Sequence, residues 1–240
     1  MKRLLIFFYG LACYAIALVT LLYAIGFVGN LWVPKSIDSA RELPLGNALL
    51  IDCVLLAIFA IQHSVMARPG FKRWWTRMIP KEAERSTYIL FASGALIVLY
   101  KYWEPIGGVV WSVQSPAGQT VLYALFVFGW ALVFLSSFLI NHFDLFGLRQ
   151  VWLQLRGKPY TPVSFGTPVC YRIVRHPLYV GLLLAFWSAP TMTLTHLVFA
   201  IATTLYILIA IQLEEHDLIA EHPEYAQYRK RVPMLLPFLK

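Results

Sequence analysis

The chain has 240 residues, 59% of them apolar and only 13% charged, with a mean hydropathy of +0.65. A soluble domain is nearer ~45–50% apolar and ~25% charged, so a water-soluble globule and a disordered chain are excluded. So is a fibre, because Gly and Pro number only 14 each. The surplus of 20 Lys+Arg over 12 Asp+Glu lies between apolar segments, where it orients a protein in a bilayer rather than gripping nucleic acid.

A spanning helix needs ~20 largely apolar residues. Residues 4–27 supply the first. Met1-Lys2-Arg3 ahead of them resembles the start of a signal peptide, but the apolar run is too long, so it reads as a span. Residues 45–66, 86–103 and 119–140 supply three more. Residues 178–193 sit at the lower limit of length, and 194–213 follow after a tight turn at Pro190, so these two are expected to form a helical hairpin. The expectation is an all-α polytopic membrane protein with five to six transmembrane helices. It is a single domain over 1–240, with four N-terminal helices in 1–140 and a ligand-binding half in 141–240.

Orientation follows from the basic residues. With the N-terminus inside, all of the 20 except Lys35, Arg41 and Lys101 fall on the inner side. Both termini are therefore expected in the cytoplasm, in the inner membrane of a bacterium, with function on the cytoplasmic face. There, residues 144–156 carry Leu145, Leu148, Trp152 and Leu155 at three- and four-residue spacing, with Arg149 and Arg156 off the stripe. That is the pattern of a surface amphipathic helix. Beyond 213 the last helix continues into a tail that His222-Pro223 interrupts.

Three polar constellations gather on this side. Arg175-His176-Pro177-Leu178-Tyr179-Val180-Gly181 opens the fifth helix. Pro177 suits a helix start, Arg175 is a carboxylate partner, and Gly181 admits a flat group; an ordinary helix entry with a basic anchor explains the same residues. Glu214-Glu215 stands where the last helix leaves the membrane, against its macrodipole, and calls for something cationic unless it only marks the helix end. A zwitterion with carboxylate, ammonium and sulfonium complements Arg175 and a glutamate together. Asn141-His142-Phe143-Asp144 ends the fourth helix, with Asn141 or Asp144 as a cap or as part of a site, and His142 the better base. Asp52 and His63 lie within the second helix, about 16 Å apart along its axis, and do not touch; a catalytic role for His63 is the lesser reading. Phe59, Phe134 and Phe138 are candidates for a small dry pocket. The three cysteines and six histidines show neither disulfide framework nor metal-ligand spacing, so no metal is expected.

Taken together, the Arg175–Gly181 motif, the hairpin, Glu214-Glu215 and the tail with Tyr225, Tyr228 and Val232-Pro233 resemble the isoprenylcysteine carboxyl methyltransferase superfamily. That superfamily includes phospholipid methyltransferases and NnrU-like membrane proteins. The resemblance covers roughly residues 141–237. It implies an S-adenosylmethionine pocket at the cytoplasmic face contacted by Arg175, His176, Pro177, Tyr179 and Gly181. Glu214 and Glu215 would stand at the donor's amino-acid end or at the reaction centre. The run Asn141–Gln150 leading into Gly157-Lys158-Pro159-Tyr160 is similar to the bacterial branch that methylates a very small thiol, methanethiol to dimethyl sulfide. This implies catalytic roles for His142, Asn141 and Glu214. A lipid or prenylcysteine methyltransferase is the alternative enzyme. A transporter or a non-catalytic NnrU-like protein is the alternative of another class.

Overall fold

The computed structural model describes residues 1–41 and 43–238. Lys240, counted above among the inner basic residues, lies outside the described residues. In chain order the helices are α1 (Lys2–Gly29), α2 (Leu45–Ala67), α3 (Pro69–Trp75), α4 (Glu84–Tyr102), α5 (Pro116–Ile140), α6 (His142–Leu145), α7 (Leu148–Leu155), α8 (Pro177–Trp187), α9 (Leu194–Glu221) and α10 (Tyr225–Arg231). Helices α1, α2, α5 and α9 are long and apolar enough to cross a membrane. The protein is thus an all-α membrane protein in its main architecture.

Two expected spans differ. Residues 86–103 fall in α4, which is long enough at 19 residues but carries Glu84, Arg85 and Lys101 at its ends. Residues 178–193 do not stay helical: α8 has 11 residues, about 16 Å of rise against a hydrocarbon core of about 30 Å. The chain then leaves the helix and forms a strand, β2 (Thr191–Thr193), antiparallel to β1 (Val109–Ser112). Three or four residues show no periodicity, so this ribbon was not legible in the sequence.

The chain divides into two compact units. One comprises Met1–Ile25, Leu50–Trp103 and Asn141–Ser164; the other comprises Gly26–Leu49, Glu104–Ile140 and Phe165–Lys240.

In the first unit, the expected amphipathic helix is broken into α6 and α7 by Gly147, whose φ of 83° is left-handed. A Cβ there would stand 2.6 Å from the Ser86 nitrogen, and Ser86 Oγ donates to the Gly147 carbonyl. The break thus seats α6–α7 on the start of α4. Helix α7 also lies against α1, because a Cβ on Gly10 would meet Val151 at 2.6 Å. Ile6, Ala83 and Val151 form the buried contact there.

In the second unit, α5 and α8 approach just as closely. A Cβ on Gly181 would be 2.6 Å from the Gly129 carbonyl oxygen, and a Cβ on Gly129 would meet the Gly181 oxygen at 2.6 Å. At the start of α9, Asp38 accepts hydrogen bonds from Thr193 Oγ1 and from Asn30 Nδ2, and His196 Nδ1 lies 3.8 Å away. This ties the 30–38 loop to the head of the last helix.

Candidate functional site

The residues of the Arg175–Gly181 motif and the two glutamates come together in the second unit. Pro177 occupies the first turn of α8, with His176 as the preceding cap residue. This places His176 and Arg175 just ahead of the helix, beside the C-terminal tail. The Arg175 amide donates to the Pro233 carbonyl and the His176 amide to that of Met234.

Glu215 is the hub. Its Oε1 accepts from Arg175 Nε at 2.6 Å, from His176 Nε2 at 3.0 Å and from Tyr225 OH at 3.2 Å. Arg229 Nε lies 2.9 Å from Oε2, at an angle too poor for a hydrogen bond, and acts there as a charge. The carboxylate is 1% exposed. A buried carboxylate is tolerated only when paired in this way. The Arg175 guanidinium completes its own bonding with Nη1 on the carbonyls of Val232 and Arg229, at 2.6 and 3.1 Å.

Glu214, one residue earlier, has the opposite environment. It is half-buried, accepts one hydrogen bond, from Tyr179 OH to Oε2 at 3.0 Å, and makes no ion pair among the described residues. Tyr171 and Tyr225 also feel its charge. Burial chiefly pushes both phenols up, and the Glu214 carboxylate adds to it. An acid without a counter-cation, beside tyrosines, is an environment suited to a cation.

The tail closes on the same residues. Tyr228 OH donates to the Tyr171 carbonyl at 2.5 Å, and Phe165 packs edge-on against Tyr225 and Tyr228 at centroid distances of 5.7 and 5.5 Å. A cavity of about 350 Å³ beside them is lined by Phe165, Arg172, Tyr228 and Arg231, among other residues. Sequence reasoning did not find Phe165, Tyr171 or Arg229 as site residues; Tyr225, Tyr228 and Val232-Pro233, through the family resemblance, pointed to the tail. Gly181 spends its missing side chain on α5.

Asn141 and His142 belong to the first unit. Asn141 caps α6, its Oδ1 accepting from the Asp144 amide at 3.1 Å, at a φ of 145° that is sterically costly for a residue with a Cβ. His142 is 3% exposed. Its Nε2 hydrogen-bonds Tyr14 OH at 3.0 Å, and its ring lies 4.6 Å from that of Phe146. Burial lowers its pKa, so it is neutral at pH 7. His63 forms a separate pair with Tyr88 OH at 3.0 Å and stacks on Phe59. Phe134 and Phe138 are on α5 in the other unit, with Phe138 56% exposed.

Fold and site define a polytopic membrane protein with a buried guanidinium–carboxylate hub and an adjacent unpaired acid at the junction of two helices. The chain is 57% identical over 240 residues, 100% of its length and 94% of the relative's, to "Methanethiol S-methyltransferase" of Crocosphaera subtropica. It is 54% identical over 239 residues, 99% of its length and 98% of the relative's, to the protein of the same name from Mycobacterium tuberculosis. More distantly, it is 33% identical to Nurim of Bos taurus over 196 residues, 78% of this chain and 72% of that one. No family model matches the chain, and no solved structure matches it. The chain belongs to the methanethiol S-methyltransferase family, a family of methyltransferases.

Proposed function

We propose that the protein methylates methanethiol to dimethyl sulfide with S-adenosylmethionine as donor. The names of full-length relatives at 48–57% identity support the substrate. The observation that carries the donor is the contrast between Glu214 and Glu215. Glu215 is neutralised within the protein by Arg175 and Arg229 and hydrogen-bonded by His176, which leaves a net positive cluster. Glu214, beside Tyr179, makes no ion pair among the described residues. A ligand with both a carboxylate and a cationic centre complements these two features side by side, and S-adenosylmethionine is such a ligand.

S-adenosylmethionine, when bound, supplies a methyl group activated by a sulfonium. Glu214 and the neighbouring tyrosines hold the cationic end, and Arg175 and His176 give the carboxylate end its positive surroundings. Phe165 and Tyr228, in the wall of the tail cavity, suit the nucleoside half. Pro177 presets the backbone that aims His176, and Gly181 keeps α8 close to α5. On the thiol side, His142 accepts the thiol proton in its neutral form, because the thiolate is the nucleophile. Asn141, fixed by its cap bond, orients the substrate. The whole chain acts as one methyltransferase domain with both termini in the cytoplasm of a bacterium, which the distribution of basic residues supports.

The test is gas chromatography of the headspace over purified, liposome-reconstituted protein given methanethiol and S-adenosylmethionine. Dimethyl sulfide above the protein-free control is expected. Its absence, with turnover of a prenylcysteine instead, overturns the substrate.

A further inference from the structure

In the first unit a cavity of about 390 Å³ is lined by Phe7 and Leu11 of α1, Asn141 and Phe143 at α6, and Leu148, Arg149 and Trp152 of α7. Five of these seven side chains are apolar. Its existence follows from two local features already described. Gly10 lets α7 lie against α1, and the Gly147 break turns α6 away from the α7 axis. The side chains between them therefore line an opening instead of filling it. Phe7 and Trp152 hold one wall, with ring centroids 5.9 Å apart. Leu11, Phe143 and Trp152 are 41, 47 and 46% exposed, so the cavity opens to the surroundings through apolar side chains.

The two polar residues of the lining are held in place. Arg149 donates through Nη1 to Asp144 Oδ1 and to the Thr161 carbonyl, both at 2.8 Å, and through Nη2 to Thr161 Oγ1. Its side chain is thereby fixed at the rim. Asn141 is the residue with the costly φ of 145°. Strained backbone of this kind persists where the surroundings hold it and concentrates at functional positions. An incidental gap between lipid-facing helices needs neither feature.

We propose that this cavity is the port through which the neutral thiol reaches Asn141, the residue before His142, with Leu11, Phe143 and Trp152 setting what enters. This deepens the reading of the function given above and rests on it. An apolar mouth admits methanethiol as the neutral, membrane-soluble thiol and disfavours the hydrated thiolate, because an ion gains nothing there that replaces its water. The proton is then lost only beyond this apolar lining. At about 390 Å³ the cavity is roomier than methanethiol requires, so it works as an antechamber rather than a fitted pocket, and small alkanethiols of greater length also enter it.

Two independent readouts on the full chain in detergent micelles test the port. Saturation-transfer NMR on the methyl protons of methanethiol reports binding without turnover, and headspace chromatography reports dimethyl sulfide. Leu11→Trp fills the mouth: the methanethiol transfer signal falls at least fivefold and KM rises at least tenfold, while S-adenosylmethionine affinity stays within twofold. Phe143→Ala widens it: kcat/KM for butanethiol relative to methanethiol rises at least fivefold. Wild-type transfer signal and thiol preference retained in both variants overturn the proposal. If wild-type protein binds methanethiol through this mouth yet forms no dimethyl sulfide, the port stands and the proposed reaction fails.

Discussion

Arg175 and Glu215 are each other's partner: Nε and Oε1 are 2.6 Å apart, with the two side chains 9 and 1% exposed. The pair joins the entry of α8 to the end of α9, and through the Arg175 bonds to Val232 and Arg229 it also fastens the tail. Glu215 is therefore the residue on which the local architecture depends. Glu215→Gln removes the charge that Arg175, His176 and Arg229 share, and breaking a buried pair from one side costs about 3–5 kcal/mol. Thermal unfolding in detergent is expected to shift down by several degrees, with the tail more open to proteolysis after residue 221. An unshifted melting temperature contradicts this.

The proposed role of His142 as base predicts an acid limit to the reaction. Burial holds its folded-state pKa below the ordinary value near 6.5, so the neutral imidazole is the stable form in the protein. The stability this contributes is complete above about pH 6.5 and is lost as pH falls through the lowered folded value. Activity that uses the neutral ring falls in the same direction. The kcat of wild-type protein is expected to decline on the acid side of that window. His142→Ala loses at least 100-fold in kcat and shows no such limb. Tyr14→Phe removes the Nε2 partner and moves the limb without abolishing turnover. A His142→Ala enzyme with wild-type kcat at pH 7 removes the residue from the chemistry.

Gly181→Ala tests the α5–α8 contact. The new Cβ has 2.6 Å to the Gly129 carbonyl oxygen and 3.0 Å to Val133, and backbone cannot yield as a flexible side chain does. Overpacking of this kind costs about 1–3 kcal/mol. Because α8 carries Tyr179, which holds Glu214, donor binding is expected to weaken along with stability. Equal melting temperatures for Gly181→Ala and wild type contradict the close approach.

At the other end of α9, Asp38 carries a separate pH dependence. Burial alone would raise its carboxyl pKa, but the nearby His196 ring and the hydrogen bonds from Thr193 and Asn30 outweigh burial and hold it below the ordinary carboxylate range. Its contribution to stability is present above about pH 4 and is lost as pH falls through the lowered folded value. Asp38→Asn is expected to lower the melting temperature at pH 7 and to flatten its fall between pH 5 and 3. Parallel melting curves for the two proteins across that range contradict this.

The long apolar runs made α1, α2, α5 and α9 legible, because twenty apolar residues in a row leave few other structures possible. The α8 stretch was overread: 178–193 has the composition of a short span, but the helix stops at Trp187 and Thr191–Thr193 pair with β1, a pairing that composition does not encode. The motif residues around Arg175 and the two glutamates were legible as a group, yet their internal pairing was not. Glu214 and Glu215 are chemically identical in sequence, and only the turn of α9 decides which one meets the guanidinium. Phe165, Tyr171 and Arg229 were missed because they reach the site through the path of the loop and tail, which carries no periodic signal. The cavity at Leu11 and Phe143 was missed for a related reason, since it arises from Gly10 and Gly147, two glycines that look like any others in the chain.

The central claim is that Glu214 receives the positive charge of the methyl donor while Glu215 serves the architecture. Calorimetric titration of S-adenosylmethionine into wild-type protein and Glu214→Gln tests it most directly, with melting temperature as the control for folding. The account predicts measurable binding to wild type, a loss of at least tenfold in affinity for Glu214→Gln, and a melting temperature within about two degrees of wild type, since about 1 kcal/mol of hydrogen bonding is at stake. Equal affinity in the two proteins contradicts it.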